Sequence, residues 1–184
     1  YEYPFGVPLR KVLEDVGAES PTAVQIGGPS GQMVGPEDFD RTICFDDLAT
    51  GGSMIVFGPE RDLIYVAKRF LEFFAHESCG YCTPCRVGTV LMLRKLEALL
   101  AGRGEPDDLP YLEDLARTVK FASRCGLGQT APNPVISTLK NFRPAYEKIV
   151  RPRVEGRRPS FDLAAATSEA EAIVRAGAGA AANY

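Results

Sequence analysis

Three cysteines fall within seven residues, in Glu77-Ser78-Cys79-Gly80-Tyr81-Cys82-Thr83-Pro84-Cys85-Arg86-Val87-Gly88. Sulfurs at i, i+3 and i+6 on a tight loop can aim at one point, which suits three corners of an iron–sulfur cubane. One more thiolate completes the set, and Cys125, in Ser123-Arg124-Cys125-Gly126-Leu127-Gly128, is the one placed to supply it. The chain has five cysteines, so they cannot all pair, and secreted disulfide scaffolds are far denser in cysteine. The expectation is a metal site in a reducing, cytoplasmic compartment. Zinc is the rival occupant, but structural zinc sites generally present two separated CxxC pairs, so the three-plus-one spacing favours [4Fe-4S]. A dithiol redox centre is the third reading. Cys44, in Arg41-Thr42-Ile43-Cys44-Phe45, reads as a buried small hydrophobe in a strand.

The residues around the sulfurs suit an anionic cluster. Thr83 reads as a helix N-cap with Pro84 at N1, which places Cys85 in the first helical turn, where free amides favour a thiolate. Gly80, Gly126 and Gly128 leave room for backbone amides to approach inorganic sulfide. Arg86 and Arg124 each adjoin a ligand cysteine, where positive charge stabilises a reduced cluster; otherwise they are ordinary surface charge. His76, the single histidine, reads as a helix-end residue rather than a ligand. Gly27-Gly28-Pro29-Ser30-Gly31 is neither a dinucleotide fingerprint nor a P-loop and reads as a turn. No acid/base pair or nucleophile–histidine arrangement stands out, so hydrolytic catalysis has little support.

Elements must bring Cys125 back to a loop 40 residues earlier. Helical spacing of Leu63, Ala67, Phe70, Leu71 and Phe74 starts after residue 61 and repeats over 85–101, 108–121 and 134–150, with Pro144 expected to kink or split the last helix. Helices over 85–101 and 108–121 make an out-and-back hairpin that returns the chain to the end it left. Residues 1–60 instead show a short helix over 8–16 and strands at Ala23–Ile26, Arg41–Phe45 and Met54–Phe57. The fold class is therefore α+β: a small sheet domain over 1–60, then a four-helix bundle over 61–150. Residues 151–184 read as a basic linker, Arg151–Pro159, followed by a weak Ala/Gly-rich helix capped by Ser160. The 184 residues, 45% hydrophobic and 24% charged, argue against wholesale disorder. A net charge of -3 gives no basic field for nucleic acid, and no apolar run approaches the ~20 residues of a membrane span. The first residue is Tyr1 rather than Met, which reads as a cleaved product or fragment.

The stretch FFAHESCGYCTPCRVG (73–88), followed by RCGLGQTAPNP (124–134), resembles the iron–sulfur domain of the NADH-binding flavoprotein subunits of complex I, NAD-linked formate dehydrogenases and NAD-reducing hydrogenases. GGPSG (27–31), CFDDLATGG (44–52) and SFDLAAA (160–166) look most like the diaphorase flavoprotein of NAD-reducing nickel–iron hydrogenases, with formate dehydrogenase a close second. The resemblance implies a ubiquitin-like β-grasp over 1–60, opening after the family's first strand. It also implies a four-helix cluster domain over 61–150, with Cys79, Cys82, Cys85 and Cys125 as cubane ligands. In the family, that cluster relays electrons between FMN, reduced by NADH, and clusters of partner subunits. The family's flavin and nicotinamide sites lie on a glycine-rich α/β domain ahead of the β-grasp. FMN and NAD are thus expected on a missing N-terminal domain of the same subunit, and no residue here is assigned to them.

Overall fold

Leu9, Val12 and Leu13 share one face of a short helix, α1 (Leu9–Asp15), and all three are buried. Leu9 and Leu13 pack on a small antiparallel sheet in which β2 (Ala23–Ile26) lies between β3 (Gln32–Val34) and β5 (Met54–Phe57). β1 (Val7–Pro8) and β4 (Thr42–Ile43) form a separate antiparallel pair. Every residue of β2 is buried, so no polar alternation marks it in the sequence: both faces of the strand are covered. Val24 and Ile26 join Leu9, Leu13, Val34, Phe39 and Leu48 on one side. On the other, Ala23, Met33 and Phe57 meet Leu63, Val66, Phe70 and Phe142 of the helical portion.

The computed structural model describes residues 1–152 and 167–168, and Tyr1–Pro152 form one unit. Apart from Arg151, Pro152 and the helical pair 167–168, the expected linker and the Ser160-capped helix lie outside the described residues.

The helical portion begins where Asp62 accepts hydrogen bonds from the Ile64 and Tyr65 amides at 2.9 and 3.1 Å, capping α2 (Leu63–Glu77). α3 (Thr83–Leu100) packs along α2, and α4 (Asp108–Ala122) returns along α3. α5 (Gly126–Thr130) is a single short turn of helix, and α6 (Asn133–Asn141) lies against α2, α4 and β3. As Pro144 requires, the last stretch is split: α6 stops, Phe142 leaves helical geometry, and α7 (Arg143–Ile149) starts anew. Proline has no amide to give and its ring crowds the carbonyl a turn earlier. Leu71, Met92, Leu96, Leu112, Ala116, Val119 and Val135 close the core with Tyr146. Among the described residues no helix is long and apolar enough to cross a membrane.

Three side chains of α6 tie it to β3 and the turn before it. Ser137 Oγ accepts from the Met33 amide at 3.0 Å, Asn141 Nδ2 donates to the Met33 carbonyl at 2.8 Å, and Asn133 Nδ2 donates to the Ser30 carbonyl at 2.6 Å.

Some sequence expectations need correction. The strand expected over 41–45 shrinks to β4, because the Asp47 carboxylate accepts the Thr42 amide at 2.9 Å and the Arg41 guanidinium at 2.6 Å. That turn ends the strand and sends Phe45 into solvent, 89% exposed. Cys44 is accordingly only half-buried, its sulfur 3.6 Å from Thr42 Oγ1, and not the core residue its apolar neighbours suggested. β1, β3 and α5 had no counterpart in the sequence reading.

Candidate metal centre

α2 ends at Ser78, whose extended backbone turns the chain into the loop 79–82. Gly80 there has φ +75°, a conformation that a side chain disfavours, and its amide reaches back to Ser78 Oγ at 3.3 Å. The helix start is one residue earlier than the sequence suggested. Thr83 is the first helical residue and Cys82 occupies the cap, with Pro84 in the first turn. Cys85, the third helical residue, lies in the same first turn and is 5% exposed; Thr89 Oγ1 anchors that turn by donating to the Cys85 carbonyl at 2.7 Å. α3 leads away and α4 returns, ending at an extended Ser123, and Cys125 caps α5. The hairpin thus brings the fourth cysteine back, as its spacing required.

Cys79, Cys82, Cys85 and Cys125 line one cavity of about 110 Å³, together with Ser78, Tyr81 and Leu127. Since a water molecule occupies about 30 Å³ in the liquid, the space fits a polyatomic group. Larger, more open troughs of about 460 and 450 Å³ exist between α4, α6 and the sheet loops, but no sulfur lines them. Among the described residues no three His, Cys, Asp or Glu side chains converge tightly enough to grip a single metal ion. The four cysteines share the lining of one space.

The residues present fit an iron–sulfur group. Four thiols are its ordinary donor set. The buried Ser123 Oγ beside them has no hydrogen-bond partner. Gly128 packs against Cys85: a Cβ there would fall 2.5 Å from Ser123 Oγ, 2.6 Å from Ser123 Cβ and 3.0 Å from Cys85 Cβ. Glycine is therefore needed at 128 for close packing. Gly126 has open space, with nothing within 4 Å of such a Cβ.

The electrostatics favour thiolate at Cys82. The Arg124 amide, then the Cys85 amide, face its sulfur and hold the thiol below the ordinary cysteine range, with the Arg124 charge adding to them. Neither amide closes a side-chain cap of full hydrogen-bond geometry, so they act mainly as aligned dipoles. The two arginines are engaged with the loop. Arg86 Nη1 donates to the Gly80 carbonyl at 2.6 Å, and Arg124 Nη1 donates to the Tyr81 hydroxyl at 2.8 Å. His76 lies outside the cavity, highly exposed and 2.9 Å from Glu77. Cys44 is not among the lining residues.

Sequence reasoning passed over Ser78, whose hydroxyl lies 3.3 Å from Cys85 Sγ, and over Tyr81, Ser123 and Leu127. Ser78 and Ser123 carried one usable signal: each immediately follows a helical stripe and stands within two residues of a cavity cysteine.

Residues 65–149 match the family described as NADH-ubiquinone oxidoreductase-F iron-sulfur binding region. This segment belongs to that family. Its cofactor is accordingly a [4Fe-4S] cluster. The NAD-reducing hydrogenase HoxS subunit alpha of Cupriavidus necator is 43% identical over 166 residues, covering 89% of this chain and 27% of its own length. A component of the NADH-quinone oxidoreductase of Streptomyces coelicolor is 35% identical over 181 residues, covering 93% of this chain and 39% of its own. A crystal structure of an NAD+-reducing [NiFe]-hydrogenase in the H2-reduced state superposes with a TM-score of 0.78 at 37% identity, over 95% of this chain and 31% of the matched one. The chain therefore spans well under half the length of the family members it matches.

Proposed function

We propose that Cys79, Cys82, Cys85 and Cys125 ligate one [4Fe-4S] cluster and that the chain is the electron-transfer portion of an NAD-linked hydrogenase. The observation that carries this reading is the single cavity lined by the four cysteines. A bound cluster supplies a one-electron donor and acceptor. The chain's own residues place the thiols: Gly80 bends the loop, Cys82 and Cys85 sit at the start of α3, and Gly128 lets α5 close beneath Cys85. Cys85 is buried and Cys82 half-buried, while Cys79 and Cys125 are exposed, so the cavity is deep on the α3 side and opens to solvent on the other.

In this reading residues 1–60 are a β-grasp lacking its first strand, and 61–150 are a four-helix iron–sulfur domain. Residues 151–184 are a basic linker and Ala/Gly-rich tail. The open edge of β5, with Met54, Ile55 and Val56 exposed, supports a further strand there. FMN and NAD belong to a separate N-terminal domain of the same subunit, and electrons pass to iron–sulfur partner subunits in the cytoplasm. The 43% identity to a hydrogenase component favours that context. The second reading, the same module in complex I, rests on the Streptomyces relative, which matches 93% of the chain.

The test is metal and sulfide content after anaerobic purification. About four irons and four acid-labile sulfides per chain are expected, with a paramagnetic signal on reduction. Stoichiometric zinc without sulfide would refute the assignment. Cys125→Ser should lose or degrade the cluster, whereas Cys44→Ser should leave iron content unchanged.

A further inference from the structure

The three-cysteine loop and the Cys125 segment are far apart in sequence, and the α3–α4 hairpin brings them together around the cavity. Among the described residues, one side-chain hydrogen bond joins them: Arg124 Nη1 to the Tyr81 hydroxyl, 2.8 Å across 43 residues. The same guanidinium lies over the Tyr81 ring, 4.9 Å from its centroid, so the contact is both a cation–π stack and a hydrogen bond. Arg86 is different. Its guanidinium holds the Gly80 carbonyl within its own segment and shapes the loop without bridging.

Tyr81 also lines the sulfur cavity while being 72% exposed, so its ring stands at the mouth between the thiols and solvent. It follows Gly80 and precedes Cys82; Arg124 precedes Cys125. Each partner is thus covalently next to a cavity cysteine, and locking the pair fixes the distance between the two cysteine-bearing segments. An exposed aromatic ring would otherwise swing freely, because no core residue holds it.

We propose that Tyr81 and Arg124 form a latch across the cavity mouth that locks the fourth-cysteine segment onto the three-cysteine loop and slows exchange of the bound group with solvent. The inference rests on the reading that the four thiols hold the cluster. Tyr81 and Arg124 act as positioning residues. Their action is mutual: with either side chain removed, the other has nothing to close on.

The test is a double-mutant cycle on the full 184-residue chain. Wild type, Tyr81→Ala, Arg124→Ala and the double variant are prepared with their clusters, and iron loss to excess EDTA is followed anaerobically. Both side chains are exposed, so truncation leaves the core intact. Each single variant should lose iron roughly fivefold faster, the factor corresponding to about 1 kcal/mol of lost latch. The double variant should be no faster than the singles. A double-variant rate near the product of the two single effects, or a single variant at the wild-type rate, overturns the latch. The same cycle on the metal-free chain reads the alkylation rate of the buried Cys85 thiol, which should rise with the same non-additive pattern; additive or unchanged rates overturn it there too. Wild type lacking iron and sulfide would refute the cluster reading, while Cys85 alkylation still judges the latch.

Discussion

Gly128→Ala and Gly126→Ala change the same atom in the same short helix, and the structure assigns them opposite signs. At 126 the added methyl meets nothing within 4 Å, so reduced freedom of the unfolded chain should leave stability unchanged or raise it by about 0.4–1 kcal/mol. At 128 the methyl falls 2.6 Å from Ser123 Cβ and 3.0 Å from Cys85 Cβ. Rotating Ser123 χ1 can remove its hydroxyl, which has no partner to lose, but rotation does not move Cβ. The backbone of α5 or of the α4 terminus must therefore shift, and overpacking of this kind costs about 1–3 kcal/mol. With a urea m-value of about 2 kcal/mol/M, the midpoint should fall by roughly 0.5–1.5 M for Gly128→Ala. The assay is urea unfolding followed by far-ultraviolet circular dichroism, alongside iron content, since Cys85 would be pushed from its place. A Gly128→Ala midpoint at or above wild type, with full iron, would refute the packing argument.

Two further perturbations test the scaffold. Asp47 is held below the usual carboxylate range chiefly by the hydrogen bond from Arg41, with the Thr42 amide and the Arg41 charge adding to it and burial opposing. Its stabilisation is present above the unfolded value of about 3.9 and is lost as pH falls through the lower folded value. Asp47→Asn should cost about 0.5–1 kcal/mol in thermal unfolding at pH 6–8, and the difference from wild type should close as pH drops below about 4. Tyr146→Phe removes a buried hydroxyl 2.7 Å from Thr138 Oγ1. Thr138 still donates to the Pro134 carbonyl at 2.7 Å, so chemical denaturation should show a loss of only about 0.5–1.5 kcal/mol.

The site was legible in the sequence because its requirements are periodic. Three cysteines at spacing three define a loop, and two apolar stripes of similar length define the hairpin that returns Cys125. The helix break at Pro144 was equally plain, since proline's effect is local. What escaped were pieces too short to show a period: β3 has three residues, and α5 has five. β3 is held by the side chains of Ser137 and Asn141 as well as by its neighbouring strand, and no local pattern announces a bond to a residue more than a hundred positions away. Cys44 misled because Ile43 and Phe45 look like strand, while the carboxylate that ends the strand stands three residues on at Asp47. The Arg124–Tyr81 contact was invisible for a similar reason. Both residues look like ordinary surface until the hairpin closes.

The bonds from α6 to the sheet also set an order of events during synthesis. Met33 exposes an amide and a carbonyl whose partners, Ser137 and Asn141, lie 104 and 108 residues later. A ribosome adding about 5–20 residues per second needs roughly 5–22 s to reach them. Over that interval α2 can already cover Ala23 and Phe57 with Leu63, Val66 and Phe70, yet the Met33 edge stays wet. Cys125 emerges only shortly before α6. The last thiol and the last sheet contact therefore become available almost together, so the nascent chain gains its complete set of sulfurs just as its sheet gains its final support.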